Sequence, residues 1–128
     1  MSLSDEEIYE AISKKLPKLD NELPQTVLGA GSDDLESGRN YLEALVEEGW
    51  MVPTWPKKHG GRDSTPEEAS RISRNLGLFQ GADLYPYGVG LSLVGPVLME
   101  HGTDEQMDRW LQPIANGSEI WCQMFSEP

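Results

Sequence analysis

Apolar residues recur at helical spacing in several separate stretches, each framed by start and stop signals. Ile8, Ile12 and Leu16 stand four apart behind Ser4 and Glu7, a Ser-x-x-Glu pair of the capping-box type, and Pro17 ends the run, so a helix is predicted over residues 5–16. The stretch 17–32, with two prolines, Gly29 and Gly31, reads as irregular. Asp33 or Asp34 then supplies a cap for a second helix with Tyr41, Leu42, Leu45 and Val46 on its apolar face, and Gly49 closes it. Residues 50–64 hold Pro53, Pro56, Gly60, Gly61 and four charged residues, a composition that continues neither helix nor strand. A structured loop around a buried Trp50 and Trp55 is expected.

Thr65-Pro66-Glu67-Glu68 combines an N-cap, a proline at the first helical position and a capping-box Glu, ahead of Ala69, Ile72, Leu76 and Phe79. Residues 88–99 are uniformly apolar and predict a buried helix packed on all sides, stopped by Gly102. Thr103 and Gln106 form a further capping box before Met107, Trp110, Leu111 and Ile114, with Pro113 as a candidate kink and Asn116-Gly117 as the end. After Gly117 the period changes, and Ile120 to Phe125 reads as a strand. Five helices followed by one unpartnered strand form an incomplete fold, because strand backbone groups need a neighbour. The expected architecture is all-α, a helical bundle over residues 1–117 with the start of a β-strand in 118–128, as part of a longer polypeptide.

Charge narrows the function. The chain of 128 residues has a formal net charge of −12, which argues against a general nucleic-acid binder, since phosphate neutralisation needs clustered Lys and Arg. The excess is frontal, with twelve acidic and four basic residues in positions 1–48 against ten and six afterwards. The opening MSLSDEE carries no basic or apolar targeting signature, and no apolar run approaches the roughly 20 residues a spanning helix needs. A soluble protein is expected, without membrane or nucleic-acid partners. The lone Cys122 cannot form an internal disulfide and sits in an apolar run, where an inert core thiol and a cytoplasmic setting are the default expectations. His59, in a Lys-Lys-His-Gly-Gly loop, and His101, at a helix end, lack neighbours at metal-ligand spacing and read as surface residues. Lys57, Lys58 and Arg62 form a small basic island that suits either a solvated loop or a phosphate contact.

Three segments carry a resemblance. Glu48-Gly49-Trp50 with Trp55-Pro56 and Gly60-Gly61, then Leu93-Val94-Gly95-Pro96 with His101 to Gln106, then Gly117 through Ser126-Glu127-Pro128, are similar in order and spacing to the acyl-coenzyme A dehydrogenases. The resemblance implies an N-terminal helical domain that precedes a β-domain and a second helical domain. It implies FAD-dependent α,β-dehydrogenation of an acyl-CoA thioester in lipid metabolism such as fatty-acid β-oxidation. A carboxylate removes the α-proton and a hydride passes to flavin N5. Hydride addition loads negative charge onto the flavin pyrimidine, so donors aimed at its oxygens lower the barrier.

Carried over by position, Gln123, Phe125 and Ser126 match the cofactor-binding residues, with the Ser126 hydroxyl as the leading candidate. The family's catalytic base lies in the C-terminal domain, and no carboxylate of this sequence matches it, so these residues alone are expected to be colourless and inactive. The segment around 84–95 resembles the helix that lines the acyl pocket. Leu84, Gly88, Leu91, Ser92 and Gly95 fall about one turn apart and share a face, and Gly88 and Gly90 remove side-chain volume there, which favours a bulky or branched acyl group. Close helix packing through small residues is the competing explanation. Implied partners are an electron-transfer flavoprotein-like acceptor and further subunits in a homo- or hetero-oligomer, commonly a tetramer. A cofactor-free acidic helical interaction module remains the alternative, its apolar end pairing with a partner's strand.

Overall fold

A computed structural model describes residues 2–20 and 34–124, and the described residues form five α-helices. These are α1 (Asp5–Ser13), α2 (Leu35–Val46), α3 (Pro66–Leu76), α4 (Gly95–His101) and α5 (Asp104–Ala115). Four begin at side-chain caps that the sequence announces. Ser4 accepts from the Glu7 N–H, Asp34 from Ser37, Thr65 from Glu68 and Thr103 from Gln106. Only the last pair is reciprocal, with Gln106 Oε1 accepting from the Thr103 N–H at 2.9 Å. The Glu68 carboxylate turns elsewhere. It accepts the Leu3 N–H at 2.8 Å and the Ser64 hydroxyl at 2.6 Å, tying the start of the chain to α3.

α1 stops at Ser13, short of the expected residue 16, and a further turn carries Leu16 into the core through a bond from its N–H to the Ile12 carbonyl. The chain then pairs briefly with the exit of α3. Lys18 bridges Phe79 in antiparallel fashion, and Gln80 N–H donates to the Pro17 carbonyl at 2.8 Å. α1 packs on α3, and Ile8, Ile12, Leu16, Leu45, Trp50, Ile72 and Phe79 make one core cluster. Each fully buried aliphatic side chain in it stabilises the fold by roughly 1.5–3 kcal/mol. Gly49 at φ +74° turns the chain out of α2, which a side chain would resist.

A second cluster joins Val52 and Trp55 of the 50–64 loop to Leu111, Ile114 and Ala115 of α5. Trp50 and Trp55 are buried, as expected. His59 is a correction: it is only 2 % exposed, because a 3₁₀ turn over Lys57–His59 docks against α5. Among the described residues its Nε2 has no hydrogen-bond partner, and it stands 3.9 Å from Asp108 Oδ1. Arg62 stacks 4.0 Å over the Trp50 ring and donates to the Glu48 carbonyl.

The apolar segment 85–101 departs most from its expectation. In place of one buried helix, a 3₁₀ turn (Tyr85–Tyr87), a π-helical turn (Gly90–Val94) and α4 follow one another. The segment is not packed on all sides, since Leu93 is 46 % and Val97 58 % exposed. The expected strand is not seen either: among the described residues, 120–124 pair with no neighbour. Cys122, in that segment, is exposed rather than a core thiol. Among the described residues, no helix is long and apolar enough to cross a membrane.

Candidate functional site

The π-helical turn explains how one wall of a groove is built. The Gly95 N–H donates five residues back to the Gly90 carbonyl, and Pro96, next in line, has no N–H to restore the tighter ladder. One residue more in that turn rotates everything after it by about 100° relative to a regular helix. Two close contacts hold it there. A Cβ on Gly95 would overlap the Trp55 ring, and one on Gly90 would come within 3.1 Å of Ile114 Cγ2.

This rotation separates residues that a regular helix would align. Leu84, Gly88, Leu91 and Ser92 line one apolar groove of about 970 Å³ together with Tyr85, Val89, Leu93 and, from the far end of the chain, Ile120 to Gln123. Gly95 is not among them. It is buried beneath Trp55 on the opposite side, which corrects its placement on the shared face. The two volume-removing glycines also part company. Gly90 packs against Ile114 and Trp121, whereas a Cβ on Gly88 would meet nothing within 4 Å. Gly88 has ordinary helical φ/ψ of −61° and −41°, so neither backbone conformation nor packing demands a glycine there. Its missing side chain enlarges the groove alone.

Gln123 is exposed and lines the groove rim, while Phe125 and Ser126 lie outside the described residues. Tyr85, Val89 and Leu93 are wall positions the family resemblance did not single out. Their four-residue spacing was present in the sequence, but the surrounding residues are equally apolar and mask it. Glu100, an acid near this segment, is exposed, and Glu119 pairs with Arg109 at 2.7 Å.

The Ser64 hydroxyl and the Leu3 N–H hold the Glu68 carboxyl below its ordinary value, hydrogen bonds from Ser37 do the same for Asp34, and burial pushes the Tyr41 phenol up. The apolar lining of the groove suits it to binding an apolar ligand.

Comparison with known proteins adds a family. Residues 19–118 match the model of the acyl-CoA dehydrogenase N-terminal domain. The chain is 32% identical over 100 residues to acyl-CoA dehydrogenase IpdE1 of Mycolicibacterium smegmatis, covering 78% of this chain and 25% of that protein. It is 36% identical over 87 residues to acyl-CoA dehydrogenase FadE34 of Mycobacterium tuberculosis, covering 66% of this chain and 12% of that one. With FadE26 of the same organism the identity is 31% over 94 residues, 71% of this chain and 23% of the relative. The chain thus spans a quarter or less of the length of these relatives. No solved structure matches it.

Proposed function

This chain belongs to the acyl-CoA dehydrogenase family, and from that premise we propose that it forms the N-terminal helical part of an FAD-dependent enzyme that oxidises an acyl-CoA thioester at its α and β carbons. In this division of labour residues 1–117 are the helical domain and 118–128 begin a β-domain. The chain walls the acyl group and touches the flavin edge, and it contributes no catalytic residue. Electrons leave to an electron-transfer flavoprotein-like acceptor, and the enzyme is an oligomer.

The observation that carries the proposal is the apolar groove whose lining residues Leu84, Gly88, Leu91 and Ser92 fall inside the stretch matching the family. An apolar wall excludes water from a reacting thioester and holds the hydrocarbon by burial, at roughly 25 cal/mol per Å². The free space at Gly88 favours a bulky or branched acyl group over a short straight one.

The residues present also fit a flavin edge. Peptide groups 120–124 make no hydrogen bond among the described residues, so their N–H groups remain available beside Gln123 to donate to an electron-rich ring oxygen. FAD, when bound, supplies the hydride acceptor. Backbone groups of Gln123 and Phe125 and the Ser126 hydroxyl are the proposed donors.

The test uses the complete polypeptide that carries this chain. A yellow protein whose flavin absorbance bleaches on anaerobic addition of an acyl-CoA thioester is expected. A colourless protein that takes up no added FAD overturns the proposal. The 128 residues alone are expected to be colourless, and stoichiometric FAD binding by them would overturn the stated division of labour.

A further inference from the structure

Beside the acyl groove lies a second apolar groove of about 410 Å³, running past Val94, Val97 and Leu98 to Trp110. Val89, Leu93, Trp121, Cys122 and Gln123 line both. The floor is continuous, because Val89 and Leu93 line both grooves, with Tyr85 on the side of the first and Val97 on the side of the second. Residues 121–123 cross it, and the bulkiest side chain at the crossing is Trp121.

Packing, not hydrogen bonding, holds that indole in place. Its ring stands edge-on to Trp110, with centroids 5.9 Å apart at 89°. The notch left by Gly90 receives its edge, since a Cβ there would stand 3.5 Å from Trp121 Cδ1. Among the described residues the buried indole Nε1 has no hydrogen-bond partner, so ring contacts alone set its position.

We propose that Trp121 is a specificity-determining residue that divides one apolar trough into two and confines the acyl group to the half widened at Gly88. The proposal rests on the acyl-pocket assignment above. Compact, branched or cyclic acyl groups fit the half beside Gly88, whereas an extended chain needs both halves. The substrate class is therefore a compact, bulky acyl thioester.

The experiment compares kcat/KM of the complete enzyme for cyclohexanecarbonyl-, octanoyl- and hexadecanoyl-CoA. The native enzyme should favour the cyclic substrate, and a native preference for hexadecanoyl-CoA overturns the proposal without any variant. Trp121→Ala should raise the hexadecanoyl-to-cyclohexanecarbonyl ratio about tenfold or more, the scale set by one or two methylene contacts. Trp121→Phe should keep the native order. A Trp121→Ala enzyme with native flavin content and melting temperature but an unmoved ratio overturns the proposal. Should that variant fail to fold, Gly88→Leu decides, because a side chain there meets nothing within 4 Å and fills the half assigned to the acyl group: kcat/KM for cyclohexanecarbonyl-CoA should fall about tenfold or more, and an unchanged value overturns the proposal. An enzyme that oxidises none of the three overturns the acyl-pocket reading on which this proposal rests, and this proposal with it.

Discussion

Glu68 offers the sharpest test of how the chain start is anchored. Its carboxylate, 7 % exposed, accepts the Leu3 N–H at 2.8 Å and the Ser64 hydroxyl at 2.6 Å. Hydrogen bonds to a charged acceptor contribute about 1.5–3 kcal/mol each, against about 1 for neutral pairs. Glu68→Gln keeps a carbonyl for the Leu3 N–H and lets Ser64 turn to accept from the amide, so only the charge assistance is lost, about 1–2 kcal/mol. Glu68→Ala leaves both donors without this acceptor and should cost about 3 kcal/mol. At roughly 4 °C per kcal/mol for a domain of this size, melts at neutral pH should fall by about 6 °C and 12 °C.

The same pair fixes a pH signature. The Ser64 and Leu3 bonds depress the folded-state pKa of Glu68 below its ordinary value of 4.5, so the stabilisation is complete above that value and is lost as pH falls through the depressed one. The gap between the native chain and Glu68→Gln, followed by circular dichroism, should be constant from neutrality to about pH 5.5 and close in more acid solution. Equal melts at neutral pH, or a gap undiminished at the acid end, would refute the assigned hydrogen bonds.

Other outcomes follow from the same coordinates. Gly95→Ala should lower stability by about 1–3 kcal/mol through overlap with Trp55, while Gly88→Ala should be neutral or stabilising by up to about 1 kcal/mol; chemical denaturation of both variants checks this contrast. Thr103→Ala removes the reciprocal cap of α5 and should cost about 1 kcal/mol in the same assay. Burial raises the folded-state pKa of Tyr41 above 10.0, so stability should be intact below pH 10 and fall above it, and Tyr41→Phe should make the alkaline melt less steep.

What the sequence disclosed was what short-range chemistry decides. Ser4, Thr65-Pro66 and Thr103 with Gln106 announce helix starts within three or four residues, and α1, α3 and α5 begin where they indicate. Residues 88–99 depart from a single buried helix unannounced, because an unbroken apolar run has no period to separate the face turned to the core from the face turned to the groove. The π-helical turn there depends on Trp55 and Ile114, which reach it only in the folded chain. His59 was taken for a surface residue for the same reason, since its burial against α5 is a contact between distant segments. Leu84, Gly88, Leu91 and Ser92 do meet at one groove. Gly95 falls away because the wide turn lies between it and them.

The two core clusters divide the molecule's labour. One welds α1, α2 and α3 together, and the other seats Trp55 and α5 behind the helical wall of the groove, with Met51 touching both. Substitutions in the first should therefore trade only in robustness, leaving ligand preference alone, while those in the second reshape what the groove admits. A lineage can remodel its choice of substrate from one side without loosening the frame that keeps the chain folded.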